Sequence, residues 1–188
     1  MAVNMERIIA NALLALCEEK PLRKITINDI IAKADTARQT FYNHFQDKND
    51  LIYWIYKRTL AGEHRLIASK GYYFYMVNLY QEAQKIHRFL YQACKLEGQN
   101  SLRDALYNQN YEYYSRYIIK HHGPDAITYD VDYALKFNAA GATHVYILWI
   151  MNDAKSDPVI QAKLTLRCMP DLVRQFMPMG ISDEELFS

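Results

Sequence analysis

Apolar side chains return every three to four residues along nearly the whole chain. Met5, Ile8, Ile9, Ala12, Leu13 and Leu16 make one stripe of a helix, predicted over Asn4 to Glu19 and ending near Pro21. Asn11 interrupts that apolar run and Glu18-Glu19-Lys20 follow it, so the stretch reads as a core helix and not as a leader. A short second helix is predicted over Ile25 to Ala34, with Thr26 and Asp29 spaced as a capping pair. Asp35-Thr36-Ala37 then leaves room only for a tight turn before a third short helix, Arg38 to Phe45. Asp47 is placed to cap a long fourth helix from Lys48 to about Ser69, and Gly71 punctuates. Long amphipathic segments follow over Tyr72 to Lys95, Ser101 to His121, Tyr129 to Asn152 and Pro158 to Phe176. A loop at Gly98-Gln99-Asn100 and a stop at Gly123-Pro124 separate them, and Pro170 should kink or break the last. No segment alternates as a strand does.

Composition narrows this picture. The 188 residues suit one domain, or a small module joined to a larger one. Hydrophobic residues at 51% and charged residues at 23% are those of a soluble globular chain. Six Gly and five Pro supply too few turns for a many-stranded β fold. No apolar run approaches the ~18 residues of a membrane helix, so no membrane partner is expected. Lys and Arg exceed Asp and Glu by 22 to 21, leaving no bulk basic field, and nucleic-acid binding has to come from a local patch. Cys17, Cys94 and Cys168 form no CxxC pair, which points to reduced thiols in a cytoplasmic protein. His121-His122 runs straight into Gly123-Pro124 with no carboxylate at a ligand-like offset, so no metal site is expected. No Ser, His and Asp, or Cys and His, fall in a readable catalytic order; neither catalytic residues nor a cofactor is expected. Glu18-Glu19 and Asp183-Glu184-Glu185 read as solvated faces.

Two short helices joined by three residues bury little by themselves. Their use is geometric: the turn crosses them steeply and exposes the second, the arrangement of a helix-turn-helix that enters the major groove of DNA. Arg38 and Gln39 open that second helix; Arg suits the O6 and N7 of guanine, and Gln the N6 and N7 of adenine. Thr40 suits a thymine methyl or a phosphate, and Tyr42, His44 and Lys48 offer donors to phosphate. Phe41 and Phe45, four apart, can pin the helix to a core.

The stretch ITINDIIAKADTARQTFYNHFQDKNDL, from Ile25 to Leu51, resembles the DNA-binding module of TetR-family regulators in Thr26, Ala34, Thr40, Tyr42, His44, Phe45, Lys48 and Leu51. Asp35 stands where that family usually has glycine and Ala37 where it has a serine cap. Arg38 to Asn43, Trp54, Gly98 to Ser101, Trp149-Ile150, Asn152-Asp153 and Asp157-Pro158 resemble the branch that contains the regulator of a dihydroxyacetone-kinase operon. The resemblance implies an all-α fold: an N-terminal three-helix module over 1–47 and a larger antiparallel helical bundle over 48–188 for effector binding and dimerisation.

From the residues and the resemblance together, Thr26, Arg38, Gln39, Thr40, Tyr42, Asn43, His44 and Lys48 are the expected DNA-binding set. Ala139 to Ala142 is a small-residue patch, and a stripe of Tyr133, Phe137, Gly141, Leu148 and Trp149 is expected to meet a second copy. Clustered tyrosines suggest an aromatic effector pocket with Tyr73, Tyr111, Tyr114, His144 and Trp149. The expected function is a transcriptional regulator, a repressor, acting as a homodimer on a palindromic duplex operator and modulated by a small-molecule or protein effector. The alternative is an adaptor of the same fold that works through a protein partner.

Overall fold

Asn4 opens the first helix, its side-chain oxygen accepting from the amide of Arg7 at 3.0 Å. The computed structural model describes residues 4–59, 67, 69–96 and 101–188. Among them the helices are α1 (Met5–Glu19), α2 (Ile27–Lys33), α3 (Arg38–His44), α4 (Lys48–Thr59), α5 (Tyr72–Lys85), α6 (His87–Cys94), α7 (Leu102–His122), α8 (Tyr129–Met151), α9 (Pro158–Arg167), α10 (Asp171–Arg174) and α11 (Asp183–Phe187). The described residues contain no strand. The predicted loop at 98–100, and positions 60–66 and 68 of the predicted fourth helix, lie outside the described residues.

The chain forms two compact units, one from Met1–Thr59 with Ile86–Leu102, the other from Leu60–Lys85 with Arg103–Ser188. In the first, Ile9, Leu13 and Leu16 of α1 are buried with Ile30 of α2, Phe41 of α3 and Leu51, Ile52 and Ile55 of α4. Each such side chain taken from water contributes roughly 1.5–3 kcal/mol. Beside α6, the short 3₁₀ turn Leu22–Lys24 buries Leu22, whose amide donates to Gln92 Oε1 at 2.7 Å. Arg88 of the same helix pairs with Glu18 at 2.7 Å.

In the second unit α5 lies along α9, and the Tyr80 and Thr165 hydroxyls meet at 2.8 Å. Trp149 of α8 stands edge-on to Tyr80, ring centres 4.9 Å apart, and its indole N–H donates to Ser156 O at 3.2 Å. The first two amides of α5 have no intrahelical acceptor. Tyr72 N donates instead to Pro178 O at 2.7 Å and Tyr73 N to Met179 O at 2.9 Å. That crossing needs glycine on both sides: Gly71 and Gly180 have φ of +93° and +70°, and a Cβ on Gly71 would sit 2.5 Å from Gly180 Cα.

One expectation changes. The single helix predicted over Tyr72 to Lys95 is two helices, broken at Ile86 (φ −108°, ψ 22°). Neither Gly nor Pro marks the break; α5 and α6 bury their apolar faces in different units, and that packing overrides local propensity. Asp183-Glu184-Glu185, expected to be a solvated face, are all exposed and form the first turn of α11. Ser182 and Glu185 form a capping box there, and Leu186 is buried. Pro170 does end the last long segment, standing as the N-cap of α10.

Candidate nucleic-acid interface

Thr26 caps α2 as its spacing predicts. Its hydroxyl accepts from Asp29 N at 3.2 Å, while Asp29 Oδ2 accepts from Thr26 N at 2.7 Å. The hydrogen bond from the Thr26 amide, with the nearby Lys20 ammonium, draws the Asp29 carboxyl down to about 2. After α2 the chain reverses through Asp35 at φ 47°, left-handed backbone that Asp tolerates better than most side chains. Ala37 then stands at the N-cap of α3 with no side-chain hydrogen bond to offer.

α3 is held from beneath. Phe41 and Phe45 are buried, their ring centres 5.8 Å apart, and Phe45 meets Trp54 of α4 edge-on. Arg38, Gln39, Tyr42, Asn43 and His44 are exposed on the other side, with Thr40 half-buried between. Arg38 is already engaged: Nη1 donates to Asn28 Oδ1 at 2.8 Å, Nη2 to the Tyr42 hydroxyl at 3.2 Å, and the guanidinium lies 5.4 Å from the Tyr42 ring centre. Gln39 Nε2 donates to Asn43 Oδ1 at 3.0 Å. Five exposed polar or aromatic side chains thus stand on a helix whose apolar side is anchored, a surface able to meet both base edges and phosphates. Asn28 was not singled out from sequence; nothing in the spacing of two residues ten apart signals that they meet.

Lys48 is placed differently from its neighbours. Its half-buried ammonium donates to Ile25 O at 2.8 Å and to Leu22 O at 3.1 Å, and burial holds its pKa below the usual lysine range.

In the second unit the five side chains expected at an effector pocket sit in separate surroundings. Tyr73 lines a shallow cavity of about 290 Å³ with Phe74, Lys163, Ile181 and Glu185. Tyr111 donates to Asp132 at 2.6 Å. Tyr114 is buried, donates to the hydroxyl of Tyr72 and neighbours Asn138, and burial raises its pKa. His144 is exposed, 3.3 Å from an Arg103 nitrogen, and Trp149 is buried against Tyr80.

α8 carries two apolar faces. Val131, Leu135, Ala139, Ile147 and Ile150 point into the unit, whereas Tyr133, Phe137 and Leu148 are 66%, 66% and 53% exposed. Gly141 lies on the outer face, and a Cβ there would meet nothing within 4 Å. Trp149, expected on the outer stripe as well, turns inward. α9 adds Ile160 and Leu164, both exposed. A helix apolar on its solvent side as well is unusual in a protomer that stands alone.

No helix among the described residues is long and apolar enough to cross a membrane, and no three metal-ligating side chains cluster there. No cysteine is in a disulfide, and burial, with Glu18 beside it, pushes the Cys17 thiol up to about 11.

A family model described as "Bacterial regulatory proteins, tetR family" matches residues 9–53, and one described as "Transcriptional regulator C-terminal region" matches residues 73–171. Over 56 residues the chain is 38% identical to the HTH-type dhaKLM operon transcriptional activator DhaS of Lactococcus lactis subsp. lactis (strain IL1403), covering 30% of each chain. Over 63 residues it is 43% identical to the uncharacterized HTH-type transcriptional regulator YvdT of Bacillus subtilis (strain 168), covering 34% of this chain and 31% of that one. The matched stretch therefore spans about a third of these relatives' length. A solved structure of the dihydroxyacetone kinase operon activator DhaS superposes with a TM-score of 0.60 over 93% of this chain and 97% of that one, at 18% identity, a likeness of fold. With the second model alone covering more than half of its length, the chain belongs to the TetR family of bacterial transcriptional regulators.

Proposed function

We propose that the protein regulates transcription as a homodimer bound to a palindromic duplex operator, with α3 of each copy in a major groove. The observation that carries this reading is the outward face of α3. Arg38, Gln39, Tyr42 and Asn43 stand exposed while Phe41 and Phe45 fix the helix from below. Arg38 and Gln39 read base edges, Asn43 supports Gln39 at 3.0 Å, and Thr40, Tyr42 and His44 meet phosphates. Thr26 fixes the start of α2, and Lys48 acts from beneath by holding the carbonyls of Leu22 and Ile25. The domain division is a DNA-binding module over 1–47 and an effector and dimer region over 48–188.

The outer stripe of α8, Tyr133, Phe137, Gly141 and Leu148, is the dimer contact, continued by Ile160 and Leu164 of α9. Two-fold pairing sets the two α3 helices about one DNA turn apart, ~34–36 Å. An effector, a small molecule or a partner protein, acts on the second unit and changes that spacing. Tyr73, Tyr111, Tyr114, His144 and Trp149 remain its candidate contacts, through more than one surface. Binding over a promoter represses by occlusion. One relative is named an activator, so the same complex placed upstream of a promoter is the second reading.

Footprinting on the DNA flanking the gene tests the proposal. Two symmetric protected half-sites about one turn apart are expected. A single unsymmetric footprint, or none at low salt, overturns it. A reporter driven from the protected promoter, with and without the protein, separates repression from activation. Retained regulation without any footprint would point to the adaptor role.

A further inference from the structure

We infer that Asn28, on α2, is a positioning residue for base recognition by Arg38: it holds the guanidinium in a fixed plane before DNA arrives and so sets which base pair Arg38 accepts. The inference rests on the proposed base-reading role of Arg38. A guanidinium has donors and no acceptor, so only the Oδ1 of Asn28 can face it, and that oxygen accepts from Nη1 at 2.8 Å. Tyr42 takes Nη2 at 3.2 Å and offers its ring 5.4 Å below the guanidinium. The arginine is thus clamped between two helices, one nitrogen by α2 and the other by the second turn of α3.

A free arginine on an exposed helix start samples many rotamers, and ordering it on the operator costs conformational entropy. It would also pair with a phosphate as readily as with a guanine edge. A side chain held by a second partner meets neither problem, because the fork is aimed before binding and its remaining N–H groups define one bidentate direction. Asn28 is well suited to this task. It is exposed and lies outside the Thr26–Asp29 cap, so the cost of losing it falls on Arg38 and not on α2.

Site selection from a randomised duplex pool, carried out with the full chain, tests this. The proteins compared are wild type, Arg38→Ala, Asn28→Ala and Asn28→Asp, each first matched for thermal midpoint. Arg38→Ala is expected to flatten one base pair per half-site, by about 10-fold or more in discrimination. Asn28→Ala should flatten the same base pair by about 3- to 10-fold, with unchanged affinity for non-specific duplex and unchanged salt dependence. Asn28→Asp keeps an acceptor in place and should retain discrimination at that pair while weakening binding to every sequence. If Asn28→Ala leaves the selected motif intact, flattens a different base pair, or lowers the salt slope, Asn28 contacts DNA on its own account or not at all, and the inference is overturned. If Arg38→Ala leaves the motif unchanged, the base-reading role of Arg38 fails and the positioning role falls with it.

Discussion

The ammonium of Lys48 lies 2.8 Å from the carbonyl oxygen of Ile25, the residue that closes the 3₁₀ turn before α2. With Leu22 O at 3.1 Å, it supplies the cation that a helix C-terminus favours. Lys48→Met is expected to cost about 1–3 kcal/mol, seen as a lower thermal midpoint, because two carbonyls lose a charged donor. The salt slope of DNA binding should stay where it is. A slope reduced by about one would mean that the ammonium leaves the carbonyls for a phosphate.

The start of α3 has room for improvement. Ala37 has the extended backbone of an N-cap, φ −87° and ψ 153°, but no side-chain oxygen to offer. Ala37→Ser should stabilise the protein by about 1 kcal/mol, measured by urea unfolding. No gain would mean that the serine hydroxyl does not reach the free amides of the first turn.

Acid should act on the cap of α2. Asp29 has its folded pKa drawn from 3.8 to about 2, so the folded state favours the carboxylate more than the unfolded chain does. Its contribution is fully present above pH 3.8 and is lost as pH falls towards 2. Asp29→Asn should be less stable at neutral pH and should flatten the acid limb of a pH-stability profile. An acid limb identical to wild type would assign the loss to other carboxyls.

The outer stripe of α8 gives a test of assembly. Phe137 and Leu148 are more than half exposed in the single chain, so Phe137→Glu with Leu148→Glu should leave helicity and protomer folding intact. Sedimentation should then show monomers where the wild type shows dimers. Two charges desolvated without partners at such a contact are strongly unfavourable. A dimer that survives both changes places the contact elsewhere.

At the crossing of residues 71 and 180, a methyl group has nowhere to go. A Cβ on Gly180 would approach Gly71 Cα to 2.8 Å, and φ +70° adds backbone strain. Gly180→Ala is expected to cost more than about 2 kcal/mol in the second unit. Calorimetry reads this directly; a midpoint within a degree of wild type would contradict the close approach.

The module from α2 to α3 was legible because its signals are short-range: a Thr-Asp cap, a three-residue turn, and two phenylalanines one helical turn apart. Facts that depend on crossing angles were not. Asn28 meets Arg38 across the turn, and Lys48, which from sequence reads as a phosphate donor, folds back onto carbonyls. In the second unit α8 is apolar on both its sides, and the tyrosines of α7 are interleaved with polar residues, so periodicity could not tell which tyrosines face inward. Tyr114 and Trp149 are buried while Tyr133 is exposed, although all sit at helical spacing. The break at Ile86 left no trace because it obeys partition between units, not residue preference.

Only Phe41 is fully buried within the seven residues of α3, and Phe45 just beyond it supplies the other anchor. Packing and lettering are therefore carried by different positions on one short rod. Exchanging Gln39 or Asn43 leaves the foundations untouched, so the lineage can drift to new promoters without rebuilding its scaffold, and an engineer can re-address the protein by the same route.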